Sequence, residues 1–260
     1  MTDSKMHVLI ATPTAGQLVT SAYTATLINA TRALHSAGLD YHHSTFDGAD
    51  IVMARNYLAN EALRRPEVGW VLWLDSDMAI SYDVFARMLR ANLPLLGAIY
   101  SERSLDLERY VELRNQGLPT DQCRALATNF NVRLQPGKFT ITGGVASVLG
   151  FGFGCVLTRR DLLQRMGQTG VAKTVSSGKL SKLGFGDTMF DFFGEIRRPD
   201  GTYLSEDYSF CQRVLDMGEE VRGLADVQLG HIGSFEYGAS FLARLQGRQQ
   251  LAISASDQPG

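Results

Sequence analysis

The sequence lacks the features that would tie it to a membrane, a disulfide framework or a polyanion. No apolar run approaches the roughly 20 residues that a membrane-spanning helix needs, so only peripheral membrane association stays open. There are three cysteines, Cys123, Cys155 and Cys211. They are far apart, odd in number and outside any CxxC or Cys/His spacing, which excludes a disulfide scaffold and argues against a zinc site. Reduced thiols predict a cytoplasmic setting. A formal net charge of −2 offers no global attraction to nucleic acid or anionic lipid, and no nucleic-acid partner is expected. Arg159-Arg160 and Arg197-Arg198 read as solvated surface. Neither GxGxxG nor GxxxxGK[ST] occurs, which excludes a dinucleotide fingerprint and a P-loop. Met1 to Lys5 leads straight into an apolar run without the features of a signal peptide.

What is present is an ordinary globular composition over 260 residues, 45% apolar and 20% charged, enough to bury one sizeable core. The most informative stretch is Gly69-Trp70-Val71-Leu72-Trp73-Leu74-Asp75-Ser76-Asp77. An uncharged apolar run rich in aromatics predicts a strand buried on both faces, as in a parallel sheet. Its carboxyl end would carry Asp75 and Asp77 to the rim of the sheet, where ligands of open α/β sheets bind. Two acids so close call for a positive partner. A divalent cation suits carboxylate oxygens.

The preceding chain alternates. Met6 to Ala11 predicts a strand ended by Thr12-Pro13-Thr14. Thr20-Ser21 caps a helix to Leu34, closed by Gly38. Leu39 to Phe46 predicts a second strand stopped by the Asp47-Gly48 turn, and Ile51 to Leu63 a second helix. This β-α-β-α-β order predicts a doubly wound half-sheet with right-handed crossovers. Tyr82 to Leu93 is a further helix and Leu95 to Tyr100 a further strand. Residues 101–138 read as a polar insertion beside the site, with a helix near Leu105 to Asn115. Phe139 to Thr158 is strand-like but broken by Gly152 and Gly154, which mark bulges or a close approach of backbone to ligand. Arg159 to Met166 is a short helix, and 167–184 a mobile loop. Ser205-Glu206-Asp207 opens a helix ended by Gly218. Val221 to Leu229 predicts a last strand, and Phe235 to Leu245 a last helix. Asp187 and Asp191 stay unassigned.

Taken singly, these signals have bland readings. Ser205 with Glu206 and Asp207 is a good helix start, because acids in a first turn are stabilised by about 0.3–1 kcal/mol. His231 alone is a packed or surface histidine, Asp47 a turn residue and Arg55 a solvated one. A DxD near a strand end also occurs in the aspartyl-phosphate hydrolases, but their pattern is DxDx[TV], usually close to the N-terminus, whereas here Met78-Ala79 follows Asp77 and two strands precede the motif.

The order of motifs carries more. Leu72-Trp73-Leu74-Asp75-Ser76-Asp77, then Gly152-Phe153-Gly154, then Ser205-Glu206-Asp207-Tyr208, then His231, resembles the GT-A glycosyltransferases of the bacterial and viral branch near family 2, over roughly residues 6 to 235. The resemblance implies an α/β GT-A fold, Rossmann-like, with a mixed and mostly parallel sheet flanked by helices. It implies a single domain over 1–250, with 1–100 binding the nucleotide, 101–250 shaping the acceptor site, and 251–260 a disordered tail. The implied activity is metal-dependent transfer of a sugar from a UDP- or GDP-linked donor to an acceptor hydroxyl on a glycan, a lipid-linked glycan, a protein or a small molecule. The implied roles are Mn²⁺ or Mg²⁺ on Asp77 and His231 with Asp75 in support, and nucleotide-sugar contacts from Thr12, Pro13, Asp47, Arg55, Asn56, Asp75 and Ser76. Asp207 is the implied base of an inverting displacement, with Glu206 beside it. Three alternatives stand next to this: a retaining transferase on the same fold, a binder of nucleotide-sugar or glycan without turnover, and a nucleotidyltransferase. The last is disfavoured by Thr12-Pro13-Thr14-Ala15-Gly16-Gln17, which has no basic residue where such enzymes carry a basic glycine-rich loop.

Overall fold

The computed structural model describes residues 7–137, 140–176, 188–233 and 236–256. The first half alternates as expected: β1 (His7–Thr14), α1 (Ser21–Ser36), β2 (Asp40–Asp47), α2 (Ile51–Arg64), β3 (Val68–Leu74), the short β4 (Met78–Ala79), α3 (Tyr82–Ala91) and β5 (Leu95–Ala98). Two helices, α4 (Leu107–Asn115) and α5 (Thr120–Leu126), precede the short strands β6 (Val132–Arg133), β7 (Ile141–Thr142), β8 (Val145–Ser147) and β9 (Gly150–Phe151). Then come β10 (Cys155–Arg159), α6 (Arg160–Gln168), β11 (Lys173–Ser176), β12 (Thr188–Asp191), β13 (Ile196–Arg197) and β14 (Tyr203–Leu204). The chain closes with α7 (Glu206–Asp216), β15 (Arg222–Leu224), β16 (Gln228–Ile232), β17 (Glu236–Ser240) and α8 (Phe241–Ser256).

The central sheet runs β2-β1-β3-β10-β5-β15-β8-β7. β1 is parallel to β2 and β3, and β5 is parallel to β15, while β10 lies antiparallel between β3 and β5. So β2, β1, β3, β5 and β15 all point one way, and their carboxyl ends share one rim. This is the mixed α/β sheet that the sequence leads one to expect.

Period-two alternation decides what each face buries. Val8, Ile10, Trp70, Leu72 and Leu74 pack against Ala30 and Leu34 of α1 and Phe85 and Met88 of α3. Leu9, Ala11, Val71 and Trp73 face the opposite side, against Leu58 and Ala62 of α2, Leu163 and Met166 of α6 and Phe210 and Val214 of α7. β3 is therefore covered on both sides, which is why it reads as a continuous apolar run. Trp73 is buried, and its indole N–H donates to Thr158 Oγ1 at 3.2 Å, so its one polar atom is satisfied.

Several boundaries differ from expectation. β1 does not stop at Pro13 but pairs with β2 as far as Thr14. Its pairing with β3 has already ended at Ala11, so one side of the strand is unpaired there, the setting that tolerates a missing N–H. The expected strand from Val221 to Leu229 is two strands, β15 in the central sheet and β16 in a separate sheet of order β17-β16-β4. Residues 236–240, expected as helix, form β17 because their backbone pairs with β16. The helix begins only at Phe241 and runs through Ser254 to Ser256. The expected tail beyond that, Asp187, Met6 and most of the expected loop after Ser176 lie outside the described residues.

Candidate active site

Four acids, Asp75, Asp77, Glu206 and Asp207, and their counter-charges gather at the carboxyl rim of β3. Asp75 follows the last residue of β3, and its N–H donates to Gly154 O at 3.2 Å. Both its carboxylate oxygens accept from Arg55 Nη2, at 3.0 and 3.1 Å. Asp77 points elsewhere. Its Oδ2 lies 3.0 Å from Arg103 Nη1 and 3.5 Å from His231 Nε2. The positive partners that two neighbouring acids demand are thus two arginines and a histidine, divided between the acids.

Register explains the His231 contact. β16 runs antiparallel to β4 with His231 opposite Met78, and Ile232 N–H donates to Asp77 O at 2.8 Å. His231 Nδ1 lies 3.1 Å from Ser101 O. A carbonyl only accepts, so Nδ1–H donates to it, and Nε2 donates to the Asp77 carboxylate it faces only when the ring is the imidazolium. Tyr100 packs edge-on against the imidazole at 5.2 Å. Burial pushes the Asp77 carboxyl up, but the hydrogen bond and charge of His231, together with Arg103, outweigh it and hold the group below the ordinary carboxylate value.

Arg55 is the centre of the second cluster. It belongs to α2 and is 2% exposed. Besides Asp75 it pairs with Asp207 and lies 3.6 Å from Glu206 Oε1. Its guanidinium sits over the rings of Phe153 and Phe193 at 5.4 and 5.9 Å. A delocalised, weakly hydrated cation can be buried this way only when several acids and ring faces surround it. Asp207 is buried in the first turn of α7 and also accepts from Phe153 N–H at 3.1 Å through Oδ2. Ser205 takes the N-cap position of α7 but makes no side-chain cap hydrogen bond. The acids after it are therefore held by Arg55 and Phe153 and not by a capping box.

The remaining expected residues divide. Arg55 and Asn56 do not line an open nucleotide surface. Asn56 is buried, accepts from Phe192 and Phe193 N–H at 2.8 and 3.0 Å, and donates to Asp191 at 2.6 Å. It fastens the segment after β12 to α2, which also gives the unassigned Asp191 a structural role. Thr12 is buried with its hydroxyl 2.5 Å from Tyr23 Oη, and His43 Nε2 stands 3.2 Å from that phenol. Pro13 lies within β1, next to Thr14. Asp47 Oδ1 accepts from Gln17 N–H at 2.7 Å and from Thr14 Oγ1 at 3.2 Å, so it braces the β1–α1 loop. Ser76 contributes its carbonyl, which accepts from Thr20 N–H at 2.9 Å where α1 begins.

Gly152 and Gly154 are explained by neighbours within the chain. A Cβ at Gly152 would stand 2.4 Å from Tyr100 Oη and from Asn131 Nδ2, and one at Gly154 would stand 2.8 Å from the Tyr100 ring. Tyr100 Oη accepts from Gly154 N–H at 3.2 Å, and Tyr208 Oη donates to Asn131 at 2.9 Å. Burial pushes the Tyr100 phenol up and the Tyr208 phenol up to about 12, so both stay protonated. Sequence reasoning missed Arg103, Tyr100 and Asn131. The available signal for Arg103 was its position, just past a strand whose carboxyl end lies on the same rim as β3.

A divalent cation fits one part of this rim. Among the described residues no group of three or more His, Cys, Asp or Glu is placed to hold an ion. Asp77 and His231 make a pair, with Nδ1 tied back to a carbonyl in the manner of a ligating histidine. Mg²⁺ and similar ions commonly take one or two protein ligands and complete their shell with water and substrate phosphates. Asp75 is not brought to this pair, since both its oxygens lie on Arg55. A cavity of about 490 Å³ lined by Trp70, Tyr82, Leu89 and Asn92 lies at the other end of β3 and has no acid in its wall.

No protein-family model and no curated protein matches the chain. Among solved structures, the chain is similar to the STIV protein A197, at 13% identity over 88% of this chain and 86% of that one, with a TM-score of 0.45. It is similar to the catalytic domain of Drosophila β1,4-galactosyltransferase 7 in complex with xylobiose, at 13% identity over 94% and 79% of the two chains, with a TM-score of 0.44. It is also similar to a glycosyltransferase involved in glycosylation of the PBCV-1 major capsid, at 10% identity over 62% and 63%, with a TM-score of 0.31.

Proposed function

We propose that the chain transfers a sugar from a nucleoside diphosphate sugar, UDP- or GDP-linked, to a hydroxyl of a glycan acceptor. The observation that carries this reading is the Arg55 bridge. One buried guanidinium joins Asp75, at the tip of β3, to Glu206 and Asp207, at the start of α7. It draws together the acids on the donor side and those on the acceptor side, with Asp77 and His231 one residue pair further along the rim.

Asp77 and His231 would hold the divalent cation, Mn²⁺ or Mg²⁺. When bound, that cation would neutralise the charge that gathers on the departing diphosphate. Asp75 and Ser76 border the same strand tip, where the ribose would lie. The acceptor oxygen forms its bond to the anomeric carbon as the bond to the phosphate oxygen breaks, and the acceptor proton passes to a carboxylate. We assign that carboxylate to Asp207, oriented by Phe153 N–H and Arg55. Direct displacement of this kind inverts the anomeric centre.

One observation favours a second assignment within the same reaction. Asp207 has Oδ2 on Phe153 N–H and Oδ1 in an ion pair with Arg55, whereas among the described residues Glu206 makes only the longer contact to Arg55. Comparing Asp207→Asn with Glu206→Gln separates the two. Loss of kcat in the Asn variant, with donor binding kept, supports Asp207. Loss of kcat only in the Gln variant transfers the role to Glu206. If the wild-type protein gives neither donor hydrolysis nor transfer across a panel of UDP- and GDP-sugars with Mn²⁺, the chain is a binder and not an enzyme.

A further inference from the structure

Arg103 has no part in the mechanism above, yet it occupies the rim's most contested atom. It stands just beyond β5, and its side chain is 50% exposed. Nη1 donates 3.0 Å to Asp77 Oδ2 and reaches Ile232 O at 3.5 Å. His231 Nε2 approaches the same carboxylate oxygen at 3.5 Å. Arg55 is locked in place by three acids and two rings; among the described residues Arg103 is held by one carboxylate and one carbonyl, on a long side chain that is half exposed. Such a pair is weak and easily exchanged. A divalent cation between Asp77 and His231 would compete for that oxygen, the one nearest His231, and two positive groups there repel each other.

Resting on the glycosyl-transfer reading, we propose that Arg103 is a displaceable counter-ion of Asp77. It holds the carboxylate while the donor is absent and yields it to the incoming cation. Its guanidinium then turns to the diphosphate that arrives with the cation. The released fork suits phosphate oxygens, which accept two parallel N–H bonds from one guanidinium. Arg103 is on this account a positioning and donor-binding residue. The exchange keeps the net charge at Asp77 from becoming uncompensated at any stage.

The test is calorimetric titration of the whole chain with Mn²⁺ alone, then with UDP and GDP at saturating Mn²⁺, for the wild type, Arg103→Gln and Arg103→Lys. Arg103→Gln should bind Mn²⁺ alone about three- to fivefold more tightly, the scale of removing a half-exposed competing ion pair, and should bind the nucleoside diphosphate more weakly. Arg103→Lys, which keeps the charge without the fork, should fall between, and it provides the comparison should the Gln variant fail to fold. Adding Asp77→Asn should erase the difference in Mn²⁺ affinity. Equal or weaker Mn²⁺ binding by Arg103→Gln, including no binding by either protein, overturns the counter-ion, and so does undiminished nucleoside diphosphate affinity. Wild-type protein that takes neither UDP nor GDP with Mn²⁺ rejects the glycosyl-transfer reading itself, whereas wild-type binding that Arg103→Gln leaves unchanged rejects the counter-ion alone.

Discussion

Replacing Arg55 with methionine tests the centre of the site most directly. Methionine keeps much of the packing against Phe153 and Phe193 but removes the one positive group that, among the described residues, touches Asp75, Glu206 and Asp207 together. Breaking a buried ion pair by deleting one partner costs about 3–5 kcal/mol, because the other charge stays behind. Losing the ring contacts adds about 0.5–1 kcal/mol each. Against a total stability of about 5–15 kcal/mol, this is a large share. Arg55→Lys retains a charge without the bridging fork and should lose about 1–3 kcal/mol. Urea unfolding followed by tryptophan fluorescence is a suitable assay, since Trp73 lies 5.8 Å from Phe153 and 5.2 Å from Phe193. A loss below about 1 kcal/mol would mean that water already solvates these acids, and would refute a buried charge centre.

Other outcomes follow from the same coordinates. Asp77→Asn should abolish Mn²⁺-dependent UDP or GDP binding, and His231→Ala should weaken it; an unchanged metal titration in either variant removes that residue from the cation site. Gly152→Ala should destabilise the fold by about 1–3 kcal/mol through overpacking, since its new methyl would stand 2.4 Å from Asn131 and Tyr100; an unchanged melting temperature would show that this strand can move aside. Burial pushes the Cys211 thiol up to about 12 and raises Cys155 as well. Buried and protonated, Cys211 should resist alkylation in the native protein at pH 8, whereas unfolded chain reacts at once. Fast native labelling of Cys211 would contradict its burial.

Much of the scaffold was legible because it is local. The β-α-β-α-β opening shows in the alternating periods of the chain, and the double-sided burial of β3 shows in its unbroken apolar run. The rim position of Asp75 follows from strand direction alone. The second half was harder. A strand read across Val221 to Leu229 conceals a change of sheet between β15 and β16, and 236–240 carries a helical pattern that pairing with β16 overrides. Gly152 and Gly154 could be flagged as tight places. That Tyr100 and Asn131 are what makes them tight is a matter of residues 21 or more positions away.

The site shows the same division. The sequence alone determined which acids stand at the ends of which elements: Asp75 and Asp77 beyond β3, Glu206 and Asp207 at the start of α7. Those follow from periodicity and strand direction, properties that a short stretch of chain carries within itself. Only the tertiary structure decided how their charges are paired. Arg55 reads as a helix-surface residue in sequence, yet the fold turns it inward between acids more than 100 residues apart. Arg103 reads as part of a polar insertion, yet the rim delivers it to Asp77 opposite His231. Burial makes an unpaired charge expensive, so the choice of partner is set by whichever cation the folded chain brings within reach, and no local pattern records that distance.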